Sequence, residues 1–121
     1  MWTKRYEEMH TIKEIEEYLN SIENFHDCRL GNIEYNQEKA SAIFNVETTM
    51  DPAKTSEGLV WDFHFDEIEK LSFDVDAMLG FWIDEVIVEN ESTVLFALKA
   101  GYISISAKKI KLGIPSNQKP I

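Results

Sequence analysis

The fold is decided by Leu59-Val60-Trp61-Asp62-Phe63-His64-Phe65-Asp66, where bulky apolar residues alternate with mostly polar ones. Successive side chains of a β-strand point to opposite faces of its sheet, so the aromatic residues of this stretch share one face and its charged residues share the other. An aromatic face of this size needs a core to cover it. The stretch therefore predicts a strand that is buried on one side.

Two strands are predicted before this stretch, from Leu30 to Tyr35 and from Ala40 to Val46. The segment between them, Asn36-Gln37-Glu38-Lys39, has the polar composition of a turn. We therefore expect the two strands to form a hairpin.

The chain after this stretch predicts four further strands, at residues 71–75, 82–89, 93–100 and 102–112. Their short connections favour an antiparallel meander. In the last of them Ala107 and Ile110 have opposite parity, so both can face the core only if a bulge or break lies near Lys108-Lys109.

A helix is predicted to begin at Thr11, because its hydroxyl can cap the first turn while Glu14 reaches back to the backbone N–H of Thr11. Apolar residues then recur at intervals of three and four positions: Ile12, Ile15, Leu19 and Ile22. This spacing places them on one stripe, through which we expect the helix to pack.

Length and composition limit the architecture. The chain has 121 residues, of which 44% are hydrophobic and 12% aromatic, which suits one packed core but not two. We predict a single α+β domain over residues 1–113, with the N-terminal helix packed on a mainly antiparallel sheet of about six or seven strands. A strongly curved sheet and a partial barrel are both compatible with the pattern. Residues 114–121 are predicted to be a flexible tail.

Three features bear on location and partners. Cys28 is the only cysteine, so no intrachain disulfide can form and a reducing compartment fits. Residues 1–8 are too charged for a signal peptide and no apolar run approaches membrane-spanning length, so we expect a cytoplasmic protein without membrane contact. A net charge of −10 disfavours binding to nucleic-acid phosphates.

Asp62, His64 and Asp66 form the sharpest local cluster, since alternation places them on one strand face at steps of about 7 Å. A metal ion would need further ligands from neighbouring elements, and His26 and Asp27 are the candidates. The alternative interpretation is the solvated face of a strand whose other face is buried. No His-x-x-x-His, His-Glu-x-x-His or Cys-x-x-Cys spacing supports a metal, so we predict neither a metal nor another cofactor.

Phe25-His26-Asp27-Cys28 lies at the predicted junction between the helix and the first strand, where functional residues are often presented. A cysteine nucleophile would also need an oxyanion site, which nothing in the sequence indicates. We favour a structural role, in which Phe25 fills the junction and His26 or Asp27 binds backbone at the turn. Cys28 then acts as a small buried residue, and no catalytic residue is predicted.

Charge is unevenly distributed along the chain. Residues 62–91 contain ten acids and one lysine, whereas residues 108–121 contain four lysines and no acid. An aromatic side chain within an acidic rim suits the capture of a basic protein surface. The predicted partner-binding residues are Asp74, Asp76, Trp82, Asp84, Glu85, Glu89 and Glu91. The alternative is that Trp82 belongs to the core and the acids are ordinary solvated positions.

A short N-terminal helix, the Phe25-His26-Asp27 junction and antiparallel strands precede the ending Gly101-Tyr102-Ile103-Ser104-Ile105-Ser106-Ala107-Lys108-Lys109-Ile110. In this arrangement the chain resembles small bacterial proteins of the toxin-immunity type. Such proteins are often single acidic domains that bind and block a cognate toxin, commonly a basic nuclease. The resemblance implies the same role here, and it transfers no individual binding residue.

The residues and the resemblance together favour a non-enzymatic binding module whose partner is a basic protein, with a cognate toxin as the specific case. Two other functions stay open. One is a metal-binding domain or metal-dependent enzyme that uses Asp62, His64 and Asp66 with His26 or Asp27. The other is an oligomeric structural protein that uses an exposed strand edge. The sequence leaves the oligomeric state undetermined.

Overall fold

A computed structural model describes residues 6–9, 11–47, 60–76, 78 and 80–115 of the protein. Within these ranges the chain forms one α-helix, a short helical turn at Glu23–Phe25 and seven strands. The elements are β1 (Tyr6–Met9), α1 (Ile12–Ser21), β2 (Arg29–Asn36), β3 (Ser41–Glu47), β4 (Val60–Val75), β5 (Ile83–Asn90), β6 (Thr93–Leu98) and β7 (Gly101–Pro115). The predicted α+β class is confirmed.

All strand pairs are antiparallel, and the sheet has the order β2-β3-β4-β7-β6-β5, with β1 paired to the end of β7. The sheet is not closed. Its two outer strands nevertheless meet at one end, where Arg29 and Trp82 form a bridge and the Ile83 N–H donates to the Cys28 carbonyl at 2.8 Å. The sheet is therefore strongly curved.

The long strand β4 is continuous where the sequence predicts two separate strands. It has 16 residues, and its register against β7 shifts between Ile68 and Lys70. Glu67, just before this shift, has a φ of 54°, in the left-handed region. Such a bulge changes which residues face the core without ending the strand. An interruption in the alternation of apolar and polar residues therefore does not prove that a strand ends there.

The predicted irregularity in the last strand is confirmed at Lys108-Lys109. Ala107 and Ile110 are both buried, whereas Lys108 and Lys109 are both exposed. The change of parity lies opposite the irregular part of β4, and the Lys109 ammonium is 3.5 Å from the Glu67 carboxylate there. Paired irregularities let both halves of the two long strands direct apolar residues into one core.

Helix α1 begins at the predicted position with Thr11 as its cap, but the Glu14 carboxylate accepts from the Thr11 hydroxyl, whereas the prediction paired it with the Thr11 backbone N–H. The Thr11 hydroxyl accepts a hydrogen bond from the Glu14 N–H at 3.2 Å and donates one to the Glu14 carboxylate at 2.8 Å. Ile15 and Leu19 are fully buried, and Ile12 and Ile22 pack against the core at its margin. The predicted stripe thus fixes the helix on the sheet.

Five phenylalanines fill the centre of the core: Phe25, Phe44, Phe63, Phe65 and Phe96. Their rings lie in edge-on, tilted and stacked contacts at centroid distances of 5.1–6.3 Å. Phe25 comes from the helical turn and the others from the sheet, so the rings join the two layers. The predicted aromatic inner face of β4 is confirmed.

Tyr18 of α1 and Trp61 of β4 share a hydrogen bond at the edge of the core. The Trp61 indole N–H donates to the Tyr18 hydroxyl at 2.8 Å, and Trp61 is almost completely buried.

Because Tyr18→Phe would leave the buried indole without this acceptor, we expect the substitution to lower the free energy of unfolding by about 1–2 kcal/mol in urea denaturation. The control is Tyr35→Phe at an exposed position, for which a loss as large as that of Tyr18→Phe would contradict the assignment.

The first and the last described strands, β1 and β7, pair in the sheet. Glu7 of β1 pairs with Ile114, which is buried, so Ile114 belongs to β7 and not to the flexible tail predicted to begin there. Residues 116–121 of the predicted tail lie outside the described residues. No helix in the described ranges combines the length and apolar character needed to cross a membrane.

Candidate functional site

Asp62, His64 and Asp66 lie on the outer face of β4, opposite the buried aromatic residues. The neighbouring strands place lysines beside two of them, because His64 pairs with Lys111 and Asp66 pairs with Lys109. Ammonium groups are not metal ligands at neutral pH, and they repel a cation. This part of the sheet therefore has mixed charge.

Asp62 itself is engaged by an amide. The Asn45 side-chain amide donates a hydrogen bond to the Asp62 carboxylate across the pair of strands β3 and β4. The proposed additional ligands, His26 and Asp27, contact β5 and the β6–β7 turn instead. Among the described residues, no group of three or more His, Cys, Asp or Glu side chains is arranged to hold a metal ion. The structure does not assemble the candidate metal cluster.

The junction after α1 connects the helical turn to the start of β5. The His26 Nδ1–H donates to the Asp84 carbonyl at 2.9 Å, and the Asp27 N–H donates to the Ile83 carbonyl at 3.1 Å. Phe25 is buried against Trp61, with ring centroids 5.0 Å apart. These contacts give Phe25, His26 and Asp27 positions that hold the junction on the sheet.

Cys28 follows this junction and is half-buried. Burial, and secondly the negative charge of Asp27, raise the pKa of the Cys28 thiol above its usual value. A raised pKa keeps the sulfur protonated at neutral pH, whereas a nucleophilic cysteine needs a lowered one. The environment of Cys28 therefore suits a packing role.

Six of the seven predicted partner-binding residues form two groups in space, and the seventh, Asp74, lies on the outer face of β4. Backbone hydrogen bonds draw the first group to the β6–β7 turn: the Lys99 N–H donates to the Trp82 carbonyl, and the Asp76 N–H donates to the Ala100 carbonyl, both at 2.9 Å. This turn brings together the end of β4 and the start of β5, which are separated by a connection in sequence. We call Asp76, Trp82, Asp84 and Glu85 the turn-end surface.

Trp82 is the aromatic centre of the turn-end surface. Its side chain is 41% exposed, so the alternative that it is a core residue is wrong. A side-chain atom added at Gly80 would lie 3.2 Å from the indole nitrogen, which shows that the indole rests close to this glycine. Large exposed aromatic side chains with one face supported by the protein are typical of contact sites.

Acidic residues lie on the elements that carry or flank this tryptophan. Asp84 is exposed and Glu85 partly exposed on β5, and Asp27 adds a further exposed carboxylate that the sequence analysis did not assign to this surface. Lys99 is 3.2 Å from Asp27, and the nearby Arg29 is held by Glu47 at 2.8 Å. The described acids thus outnumber the bases at this end of the sheet, which makes it negative.

Strand register links Glu85 to the centre of the outer face. Glu85 pairs with Ala97, Ala97 with Tyr102, and Tyr102 with Asp74, so the four residues form one row across β5, β6, β7 and β4. Such a row spans about 14 Å. Tyr102 is 41% exposed in the middle of it. In residues 102–106 isoleucines alternate with Tyr102 and two serines. This alternation was the sequence signal that could have placed Tyr102 on the outer face.

Glu89, near the end of β5, and Glu91, in the turn that follows β5, form the second group. Glu89 is four positions after Glu85, which corresponds to about 13 Å along the strand, and Glu91 is two positions further on. Glu91 lines a shallow cleft with Asp66 and the three lysines of β7, Lys108, Lys109 and Lys111. The seven predicted partner-binding residues therefore do not share one surface.

Comparisons with known proteins identify no relative of this chain. No protein-family model, no curated protein and no solved structure matches the chain. The site is therefore assigned from its own geometry and charge.

Proposed function

We propose that this protein is a non-enzymatic binding module that captures a basic protein through the turn-end surface. The observation that carries the proposal is the exposed Trp82 among Asp76, Asp84 and Glu85, held together by backbone hydrogen bonds from Lys99 and to Ala100. Its resemblance to immunity-type proteins favours a nuclease-type toxin as the partner, which the module would block by binding.

Charge and the aromatic side chain contribute to different steps of binding. Acidic groups attract a basic protein over several ångströms and raise the rate of association, an effect that salt weakens. A tryptophan buried on binding removes apolar area from water and slows dissociation. The turn-end surface combines both properties at one end of the sheet, and this is what a stoichiometric inhibitor needs.

The charge of this surface is tested with two double variants on the same strand. Asp84→Lys with Glu85→Lys reverses the turn-end surface, and Glu89→Lys with Glu91→Lys is the matched control at the other end of β5. The probes are the purified products of those adjacent genes that encode proteins of net positive charge, with affinity measured by calorimetry, and binding by none of them would contradict the proposal. We expect the first double variant to weaken binding by at least about tenfold and the control by less than about threefold.

Kinetics distinguish specific capture from general charge attraction. Trp82→Ala is expected to raise the dissociation rate while leaving the salt dependence of association close to that of the wild type. If the basic protein is a toxin, co-expression with the wild-type protein should protect growth and co-expression with the Asp84→Lys and Glu85→Lys variant should not. Equal affinity of both double variants would remove the turn-end surface from the proposal.

A further inference from the structure

Among the described strands, none pairs with one edge of β4 over its second half. On the β3 side, pairing covers Val60 to Phe65, and the last backbone hydrogen bond is the one from the Ile68 N–H to the Ala40 carbonyl at 2.9 Å. On the other side, residues 70–75 remain paired to β7. Within the described part of the chain, residues 69–75 therefore expose one side of an extended backbone.

The two faces of this free edge have different chemistry. Leu71 and Phe73 pair with the buried residues Ile105 and Ile103 and so lie on the core face, yet Phe73 is 50% exposed because no further strand covers it. Lys70 and Asp74 lie on the outer face, and neither forms an ion pair with another described residue. With respect to the described residues, the edge thus combines unpaired backbone, a half-exposed aromatic ring and two charges outside any ion pair.

We propose that this edge pairs with the same edge of a second copy of the chain, antiparallel and centred on Ser72. In that register Lys70 of each copy lies opposite Asp74 of the other, and Leu71 lies opposite Phe73. Directly opposed residues of an antiparallel pair project to the same face, so the two ion pairs form on the outer side and the apolar pairs cover the core side. The pairing joins two sheets into one.

The order of charges favours a second copy over a different protein. The sequence Lys70-Leu71-Ser72-Phe73-Asp74 has opposite charges at equal distances from its centre, so it is complementary to itself when reversed. A two-fold contact uses the same patch on both copies and closes after two, which protects an exposed edge from open-ended growth. No proline interrupts residues 69–75.

This inference is independent of the proposed function. It assigns Asp74 to the contact between copies and leaves the turn-end surface of each copy to a basic partner. A dimer would carry two such surfaces. Measurements of mass test the edge, and measurements of affinity for the basic protein test the turn-end surface, so either proposal can fail without the other.

Analytical ultracentrifugation of the wild type and of charge variants tests the edge. We expect the wild type to shift from the mass of one 14.0 kDa chain to twice that mass as concentration rises from low micromolar to near millimolar. Lys70→Glu and Asp74→Lys should each weaken the dimer by roughly tenfold or more, because each places like charges opposite one another twice. The matched controls, Lys13→Glu and Glu17→Lys on exposed positions of α1, should not.

An equimolar mixture of the two variants gives the sharpest result. Pairing Lys70→Glu with Asp74→Lys restores both ion pairs, so a mixed dimer should form at concentrations where each variant alone is monomeric. A wild type that stays monomeric throughout, a dimer insensitive to both substitutions, or a mixture that does not associate would each overturn the proposal. If a variant does not fold, amide hydrogen exchange of the wild type tests the proposal instead. Exchange at residues 69–75 should slow as protein concentration rises, and exchange that does not change with concentration would contradict the dimer.

Discussion

Gly101→Ala is expected to lower the free energy of unfolding by about 3 kcal/mol or more, which would be among the largest effects of any single substitution in the chain. Gly101 begins β7 with a φ of +136°, a conformation that residues with a side chain rarely adopt. A Cβ at this position would overlap the Asp74 carbonyl oxygen and lie 2.8 Å from the Val75 Cα. Both obstacles are backbone of the adjacent strand β4, which can yield only by breaking its pairing.

Gly31→Ala is the matched control for this prediction. A Cβ at Gly31 would meet the end of the Glu47 side chain, which can rotate away, although its ion pair with Arg29 would be disturbed. We expect a cost of about 1 kcal/mol, since an exposed ion pair contributes little. Urea denaturation of both variants gives the comparison, and a Gly101→Ala cost no greater than that of Gly31→Ala would show that β4 and β7 do not approach as described.

Much of the fold could be predicted because its signals are local. Alternation in residues 59–66 identifies the buried face of β4, and the Thr11 capping box identifies the start of α1. The opposite parity of Ala107 and Ile110 even predicts an irregularity that the structure places at Lys108-Lys109. In each case one face of the helix or strand packs on the core, and the spacing of the apolar side chains indicates which face it is.

The elements that were missed or divided lack such a signal. β1 has only four residues, two of them glutamates, and it pairs with the end of β7, about a hundred residues away in sequence. The continuity of β4 depends on Glu67 in a left-handed conformation, which its identity does not indicate. Long-range strand pairing and bulge geometry determine these features, and neither can be predicted from a short segment of the sequence.

The candidate site shows the same limit. Acids that are neighbours in sequence were grouped together, but each strand residue advances the chain by about 3.3 Å, so Glu85 near the start of β5 lies far from Glu91 in the turn after it. Conversely, Asp27 reaches the turn-end surface from a junction far away in sequence through its ion pair with Lys99. Register between strands assembles a surface, and composition alone does not determine register.

Phe63→Ala is expected to cost about 3–5 kcal/mol, the usual range for removing a fully buried phenylalanine. Phe63 has no exposed surface, and its ring centroid lies 6.0 Å from those of Phe25 and Phe65 and 5.2 Å from that of Phe96. Truncation would leave a cavity where the helical turn, β4 and β6 meet. Domains of this size have a total stability of roughly 5–15 kcal/mol, so the variant should unfold at markedly lower urea concentration and temperature.

Two further variants make the Phe63 result specific. Phe63→Leu keeps most of the volume and should cost about 1–2 kcal/mol, whereas Tyr35→Ala, at a position that is 53% exposed, should cost less than about 1 kcal/mol. Because Phe63 contacts Phe25, the alanine variant should also loosen the junction that holds His26 against Asp84. Faster amide exchange at Asp27 and Ile83 than in the leucine variant would show this coupling, and equal stability of the Phe63→Ala and Tyr35→Ala variants would contradict the central position of Phe63 in the core.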